Sequence, residues 1–244
     1  MKELKGLTFR MKVSLQTPTL CDGFDDIILV QNQEIRPQWS SYFQEHQEQF
    51  LSSPSKFMWD FYQSRKMGEV MPELVRCIGY KQENTHHNLT VFEHMMKAAD
   101  HVEIKTPEFV WAMCLHDIGK VYPGIKSLIA RFKEDYYSFK RGVPYRLEMR
   151  NKKYFIQGKE VPKRLIITDK QYHYYNHDNL SAQIAYRILE RMGYSKPFII
   201  KVCSYIQHHM RLPYGQEPSP KLVKNLHPIY EDLLVVRNAD LKGK

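Results

Sequence analysis

The sequence predicts a mainly α-helical domain that carries a β-hairpin insertion and a small N-terminal appendage containing strands. Three observations predict it. Beyond about residue 56, apolar residues recur at helical spacing through most of the chain. Between residues 131 and 171 that spacing gives way to short apolar runs punctuated by turn dipeptides. Upstream of residue 56 the runs MKVSLQT and DDIILVQNQEI read as short strands around Cys21-Asp22-Gly23. A length of 244 residues fits one large domain or one domain with an appendage, and 43% hydrophobic residues suffice for a sizeable core.

Within the appendage, SSYFQEHQEQFLSS is polar with scattered aromatics and reads as helical. No catalytic motif falls in residues 1–55, which read as a cap or a partner surface. In the domain proper, TVFEHMMKAADHV sets Phe92, Met95, Met96, Ala99 and Val102 on one stripe, with His94 off it beside Val91 and Ala98. Thr106-Pro107 is a helix start, a side-chain cap followed by proline in the first turn. The apolar run FVWAMCL follows, closed by His116-Asp117, and Gly119 and Pro123 end that helix. NHDNLSAQIAYRILERMG begins at a cap, Asn176 or Asp178, packs Leu180, Ile184, Ile188 and Leu189, and stops at Gly193. PFIIKVCSYIQHHM starts at Pro197 and carries the stripe Ile199, Val202, Cys203, Ile206, which His209 continues. The last helix carries Ile229, Leu233, Val236 and Asp240 on one stripe.

The insertion YRLEMRNKKYFIQGKEVPKRLIITD has turn chemistry at Asn151-Lys152 and Gln157-Gly158. Residues 131–171 hold 12 Lys/Arg against 5 Asp/Glu, so this segment supplies +7 of the chain's +9. Tyr136, Tyr137, Phe139, Tyr145, Tyr154 and Phe155 are interleaved with those charges. Two readings follow: a solvated basic hairpin, or a surface that tracks phosphates and stacks bases. The basic balance favours anionic partners without identifying one. Cys21, Cys77, Cys114 and Cys203 lie far apart and form no CxxC, which argues against a zinc knuckle or a disulfide scaffold. A reducing cytoplasmic setting is the default expectation. The N-terminal stretch lacks the apolar core of a signal peptide, and no apolar run approaches a membrane span.

His116-Asp117 at the end of a greasy helix needs a partner, because a buried charge is costly unless paired. Lys120 is the nearby cation. Asp240 on an apolar stripe raises the same question; His94 alone reads as a solvated or hydrogen-bonded histidine on a helix flank, and His209 alone as a satisfied core histidine. Together, four helices bring His or Asp toward what reads as one centre. Imidazole nitrogen and carboxylate oxygen without thiolate suit Mn, Fe, Co, Ni, Zn or Mg. Such a metal would neutralise the buried carboxylates and lower the pKa of a bound water. Lys120 would steady a phosphoryl oxygen.

The order of these residues, His94, then His116-Asp117, then Asp240, resembles the HD-domain metal-dependent phosphohydrolases. Within them it is most similar to the HD region of bacterial tRNA nucleotidyltransferases (CCA-adding enzymes). The matching text is MPELVRCIGYKQENTHHNLTVFEH, then CLHDIGK, then NHDNLSA, then NAD, over roughly residues 60–244 without the insertion. Nothing upstream resembles the nucleotidyltransferase head, so CCA addition is not expected. The family's GHE reads Asn176-His177-Asp178 here, and the insertion is longer than the family's.

The resemblance implies an HD-type helical bundle over residues 56–244 with one or two divalent metals. It implies His94, His116, Asp117 and Asp240 as the metal quartet. His177 and His209 would bind a second metal, or contact the substrate phosphate and protonate the leaving oxygen, with His208 the alternative to His209. Lys120 would contact phosphate, and His86 is a substrate-side candidate. The implied activity is hydrolysis of nucleotide or RNA-end phosphoesters, as a 2′,3′-cyclic phosphodiesterase or phosphatase, with tRNA or other RNA contacting the basic insertion. The alternatives are a nucleotidase or cyclic-nucleotide phosphodiesterase on small substrates, or an inactive HD module that binds RNA or nucleotide.

Overall fold

The structure is a computed structural model that describes residue 36 and residues 38–83, 88–213 and 216–244. The strands expected around Cys21 lie outside the described residues, as does His86. Three helices, α1 (Gln38–Glu45), α2 (Gln47–Ser52) and α3 (Pro54–Gln63), open the described chain. Their aromatic rings enter the main core. Phe43 and Phe50 stand 4.8 and 5.1 Å, centroid to centroid, from fully buried Trp111. The core therefore includes side chains from before residue 56. Two short helices, α4 (Lys66–Val70) and α5 (Pro72–Val75), add Met67, Val70 and Leu74.

Helix α6 (Val91–Asp100) begins with a capping box. Thr90 Oγ1 accepts the Glu93 N–H at 3.3 Å, and Glu93 Oε2 accepts the Thr90 N–H at 2.9 Å. The predicted apolar stripe is buried, but so are Val91, His94 and Ala98 on the other side. The reason is α11 (Tyr230–Lys242), whose end closes over that face. A Cβ on Gly243 would lie 2.8 Å from the Ala98 methyl, so only glycine allows this approach. Helix α7 (Pro107–Leu115) is buried without a break from Phe109 to Leu115. Thr106 occupies its N-cap position but makes no side-chain cap bond. A 3₁₀ turn (Ile118–Val121) then presses on α8 (His177–Met192). The Gly119 N–H donates to Ser181 Oγ at 2.9 Å, and a Cβ there would meet the His177 carbonyl oxygen at 2.7 Å. Asn176 takes the α8 N-cap position in a left-handed conformation (φ 62°), with its side chain turned to Asn179 instead of the helix backbone. Gly193 (φ 85°) ends α8. Helix α9 (Lys196–His208) packs beside it, and α10 (Pro220–Leu226) precedes α11.

The expectation of a mainly α bundle with only a hairpin is overturned by a curled antiparallel sheet. It has five strands in the order β4-β3-β2-β1-β5: β1 (Lys126–Phe132), β2 (Pro144–Arg150), β3 (Lys153–Ile156), β4 (Lys159–Val161) and β5 (Ile166–Tyr174). The two turns read from sequence are present. Asn151 and Lys152 have φ of 49° and 63°, and Gln157 and Gly158 have 50° and 74°. Positive φ at both central residues is the signature of the type I′ two-residue hairpin. What the turn signals could not reveal is the pairing of β1 with β5, which aligns Lys126 with Tyr174 and Phe132 with Ile166. That contact is non-local and carries no turn dipeptide.

The sheet also has a core of its own: Ala130, Phe132, Phe139, Leu147, Ile156, Val161 and Ile166, flanked by Tyr136, Tyr145 and Tyr154. Phe139 stacks on Phe132 at 4.9 Å, and Tyr145 meets both edge-on. Most aromatics expected on a stacking surface are thus used to hold the sheet together. Tyr137, 83% exposed, and Phe155, half-buried under Arg150, are the exceptions. Among the described residues no helix is long and apolar enough to cross a membrane.

Candidate metal centre

Six predicted residues converge where five helical elements meet. His94 comes from α6, His116 and Asp117 from the end of α7, His177 from the first position of α8, His209 from the end of α9, and Asp240 from α11. All are buried. His94 Nε2 lies 3.1 Å from His116 Nε2, 3.0 Å from Asp240 Oδ1 and 3.3 Å from Asp117 Oδ2. His116 Nε2 lies 3.5 Å from each of the same two carboxylate oxygens. On the other side of Asp117, Oδ1 stands 3.1 Å from His177 Nε2 and 3.8 Å from His209 Nε2.

The tautomers follow from the outer contacts. Each Nδ1 faces a backbone carbonyl: His94 to Gly243 (3.3 Å), His116 to Met113 (2.9 Å), His177 to Tyr174 (2.7 Å) and His209 to Ile206 (2.6 Å). A carbonyl only accepts, so every Nδ1 carries the proton and every Nε2 turns inward. For His116 and His209 the carbonyl belongs to the preceding helical turn, so placing histidine at the helix end fixes its ring. This is the outer-sphere arrangement that orients metal-binding histidines.

Neutral imidazoles so arranged point lone pairs at one another and at carboxylates. That is unfavourable unless a cation or an added proton lies between them. Burial acts to lower the His94 pKa, but the Asp117 and Asp240 carboxylates outweigh it and push it up to about 9. Without a metal, a proton on His94 therefore fills that role. Burial, with charge on His116 and His177, pulls His209 down to about 3. Burial works to raise Asp117 and Asp240, yet both are held well below the usual carboxylate range, Asp117 by Lys120 and the imidazoles and Asp240 by His116 and His94. Asp117 Oδ1 and His177 Nε2 stand 3.1 Å apart as an acceptor facing an unprotonated nitrogen, and among the described residues neither is satisfied by a hydrogen bond. Each such orphan costs about 1–3 kcal/mol unless a ligand satisfies it. The donor set fits a divalent metal: His94, His116, Asp117, Asp240 and His209 could hold an ion, as two overlapping triads that share His116.

Lys120 is buried beside the same carboxylate. Its ammonium lies 2.6 Å from Asp117 Oδ2 and donates to Gln82 Oε1 at 2.9 Å, 5.7 Å from the Tyr174 ring centroid. Asp117 thus already has one cationic side-chain partner. His208 is only partly buried and turns its Nδ1 to the Ser204 carbonyl, so the helix-end histidine at the centre is His209.

Sequence reasoning gave no role to Gln82 or Tyr174. The Tyr174 carbonyl orients His177, and its hydroxyl donates to the Gln82 carbonyl at 2.5 Å. The segment bearing Gln82 is tied to the sheet by the Tyr172 N–H to the Glu83 carbonyl (3.3 Å) and by Lys126 to Glu83 (2.7 Å). The sheet that reads as an insertion therefore supports one wall of the site. Gln82 does stand in the text that carries the family resemblance, and that was the available signal. No family model, curated protein or solved structure matches the chain.

Proposed function

We propose that this protein is a metal-dependent phosphohydrolase acting on nucleotide or RNA-end phosphoesters, of the 2′,3′-cyclic phosphodiesterase or phosphatase type. The observation that carries it is the set of four imidazoles, each fixed through Nδ1, whose Nε2 atoms converge on two buried carboxylates. His94, His116, Asp117 and Asp240 would hold the ion, with His209 and His177 toward a second ion or the substrate. The order of the motifs, similar to that of HD phosphohydrolases, supports the same reading. A bound Mn, Fe, Co, Ni, Zn or Mg ion supplies Lewis acidity and a more acidic water.

The chain's own groups do the rest. Asp117 Oδ1, without a hydrogen-bond partner, accepts the proton of the attacking water. As the water oxygen bonds to phosphorus, the P–O bond to the leaving group breaks. His177 Nε2, 3.1 Å from Asp117 Oδ1, passes that proton on to the leaving oxygen and keeps Nδ1–H on the Tyr174 carbonyl. Lys120 holds Asp117 in place and faces the phosphoryl oxygens. Basic side chains of residues 131–171 would draw in RNA in a cytoplasmic setting.

A second reading, a nucleotidase or cyclic-nucleotide phosphodiesterase on small substrates, is favoured by one observation. The insertion's aromatics are largely used in the sheet's own core, which leaves few for stacking bases. Metal analysis with bis-p-nitrophenyl phosphate hydrolysis across Mn, Ni, Co, Fe, Zn and Mg tests the class. Asp117→Asn is the better variant than Asp117→Ala, because its amide oxygen can still accept from the buried Lys120 ammonium, whereas alanine removes that acceptor altogether. It should cut turnover by about 10²–10⁴-fold with the fold retained. Wild-type protein with neither metal nor turnover is an inactive binding module, and the proposal is then wrong.

A further inference from the structure

Gln82 is 1% exposed, and its side chain is pinned at one end only. Lys120 Nζ is a pure donor, so the Gln82 atom 2.9 Å from it must be Oε1. The other end, Nε2 with two N–H groups, is buried and has no hydrogen-bond partner among the described residues. The backbone around it is fixed as well, since the Gln82 carbonyl accepts from the Tyr174 hydroxyl. A buried orphan donor costs stability and persists where something satisfies it. Here it belongs to a side chain that contacts Lys120, which itself contacts Asp117. The matching ligand is an acceptor without protons of its own.

We infer that Gln82 is a substrate-binding residue: its Nε2 donates to a non-bridging oxygen of the phosphoester, while Oε1 holds Lys120 against Asp117. This rests on the phosphohydrolase reading. It adds a neutral, directional contact for phosphate beside the cationic one. The carboxamide serves both duties because its two ends have opposite polarity. Glutamate would keep the acceptor for Lys120 and lose the donor, and methionine would lose both at similar length.

The test uses the full chain loaded with Mn and inorganic phosphate as the probe, read by calorimetry, with metal content and thermal melting measured alongside. Gln82→Met should keep the metal and weaken phosphate binding about 10- to 100-fold, the worth of a hydrogen bond to a charged group. The deciding comparison is the same substitution in a Lys120→Met background. A further loss there means that Nε2 touches phosphate, whereas no further loss means that Gln82 acts only through Lys120 and overturns the assignment. Should Gln82→Met unfold, Gln82→Glu replaces it, and phosphate affinity equal to wild type in that variant also overturns the assignment. Wild type that takes up Mn and phosphate, with Gln82→Met unaffected, defeats this inference alone. Wild type that takes up neither defeats the phosphohydrolase reading and this inference with it.

Discussion

Removing metal should make the protein lose stability as pH rises, through His94. In the metal-free protein its imidazolium is held between Asp117 and Asp240, and its pKa rises from 6.5 to about 9. That rise is worth about 3 kcal/mol. The folded pKa lies above the unfolded one, so this stabilisation is complete below about 6.5 and is lost as pH climbs through about 9. His209 runs the other way. Its pKa is pulled down to about 3, so the unfolded chain takes up a proton first and stability falls as pH drops below about 6.5. Asp117 and Asp240, depressed in the fold, withdraw their contribution only in more acidic solution. Chelated protein should therefore be most stable near neutral pH and weaken toward about 9. A bound metal takes over the lone pair that the proton held, so metal-loaded protein should lack that fall and stay level over the same window. Urea unfolding with and without chelator reads both slopes, and about 3 kcal/mol corresponds to a midpoint shift on the order of 1 M. His94→Asn should flatten the chelated profile. A chelated wild type that is flat or rising across the window, or a His94→Asn variant with the same fall, would refute the reasoning.

Gly119→Ala should destabilise by about 1–3 kcal/mol, because its methyl must displace the His177 carbonyl or the Ser181 backbone, and urea titration measures it. That variant should also lower metal affinity, since the displaced backbone carries His177; unchanged affinity by metal titration would separate the packing from the site. Charge reversal of Lys152 and Lys163 together should weaken hydrolysis of RNA-end phosphoesters and reduce its salt dependence by about one unit of slope per phosphate contact. Hydrolysis of bis-p-nitrophenyl phosphate by the same variant should stay at the wild-type rate, and equal losses on both substrates would argue against an RNA surface.

Part of the candidate site could be read from local signals in the chain, whereas His177 came only from the order of the motifs. His116-Asp117 closes an apolar helix, His209 continues an apolar stripe, and Asp240 interrupts one with charge. Such positions are costly unless a partner exists, and cost is visible in a linear sequence. Helix starts at Pro107 and near Pro197 and the stop at Gly193 were legible for the same reason. Their causes lie within a few residues.

Tertiary structure alone decided three things. The sheet is more than a hairpin because β1 pairs directly with β5, although three strands separate them along the chain. The aromatics among its charges turn inward because the sheet curls over a core of its own. Lys120 and Gln82 bond each other at 2.9 Å although 38 positions separate them, because β5 brings the Tyr174 hydroxyl to the Gln82 backbone. Pairing partners, curvature and close approach depend on contacts between distant segments, and local spacing does not encode them. The sequence by itself determined which groups are expensive to bury; the fold determined how close they come and which of them are left with a hydrogen bond still to make.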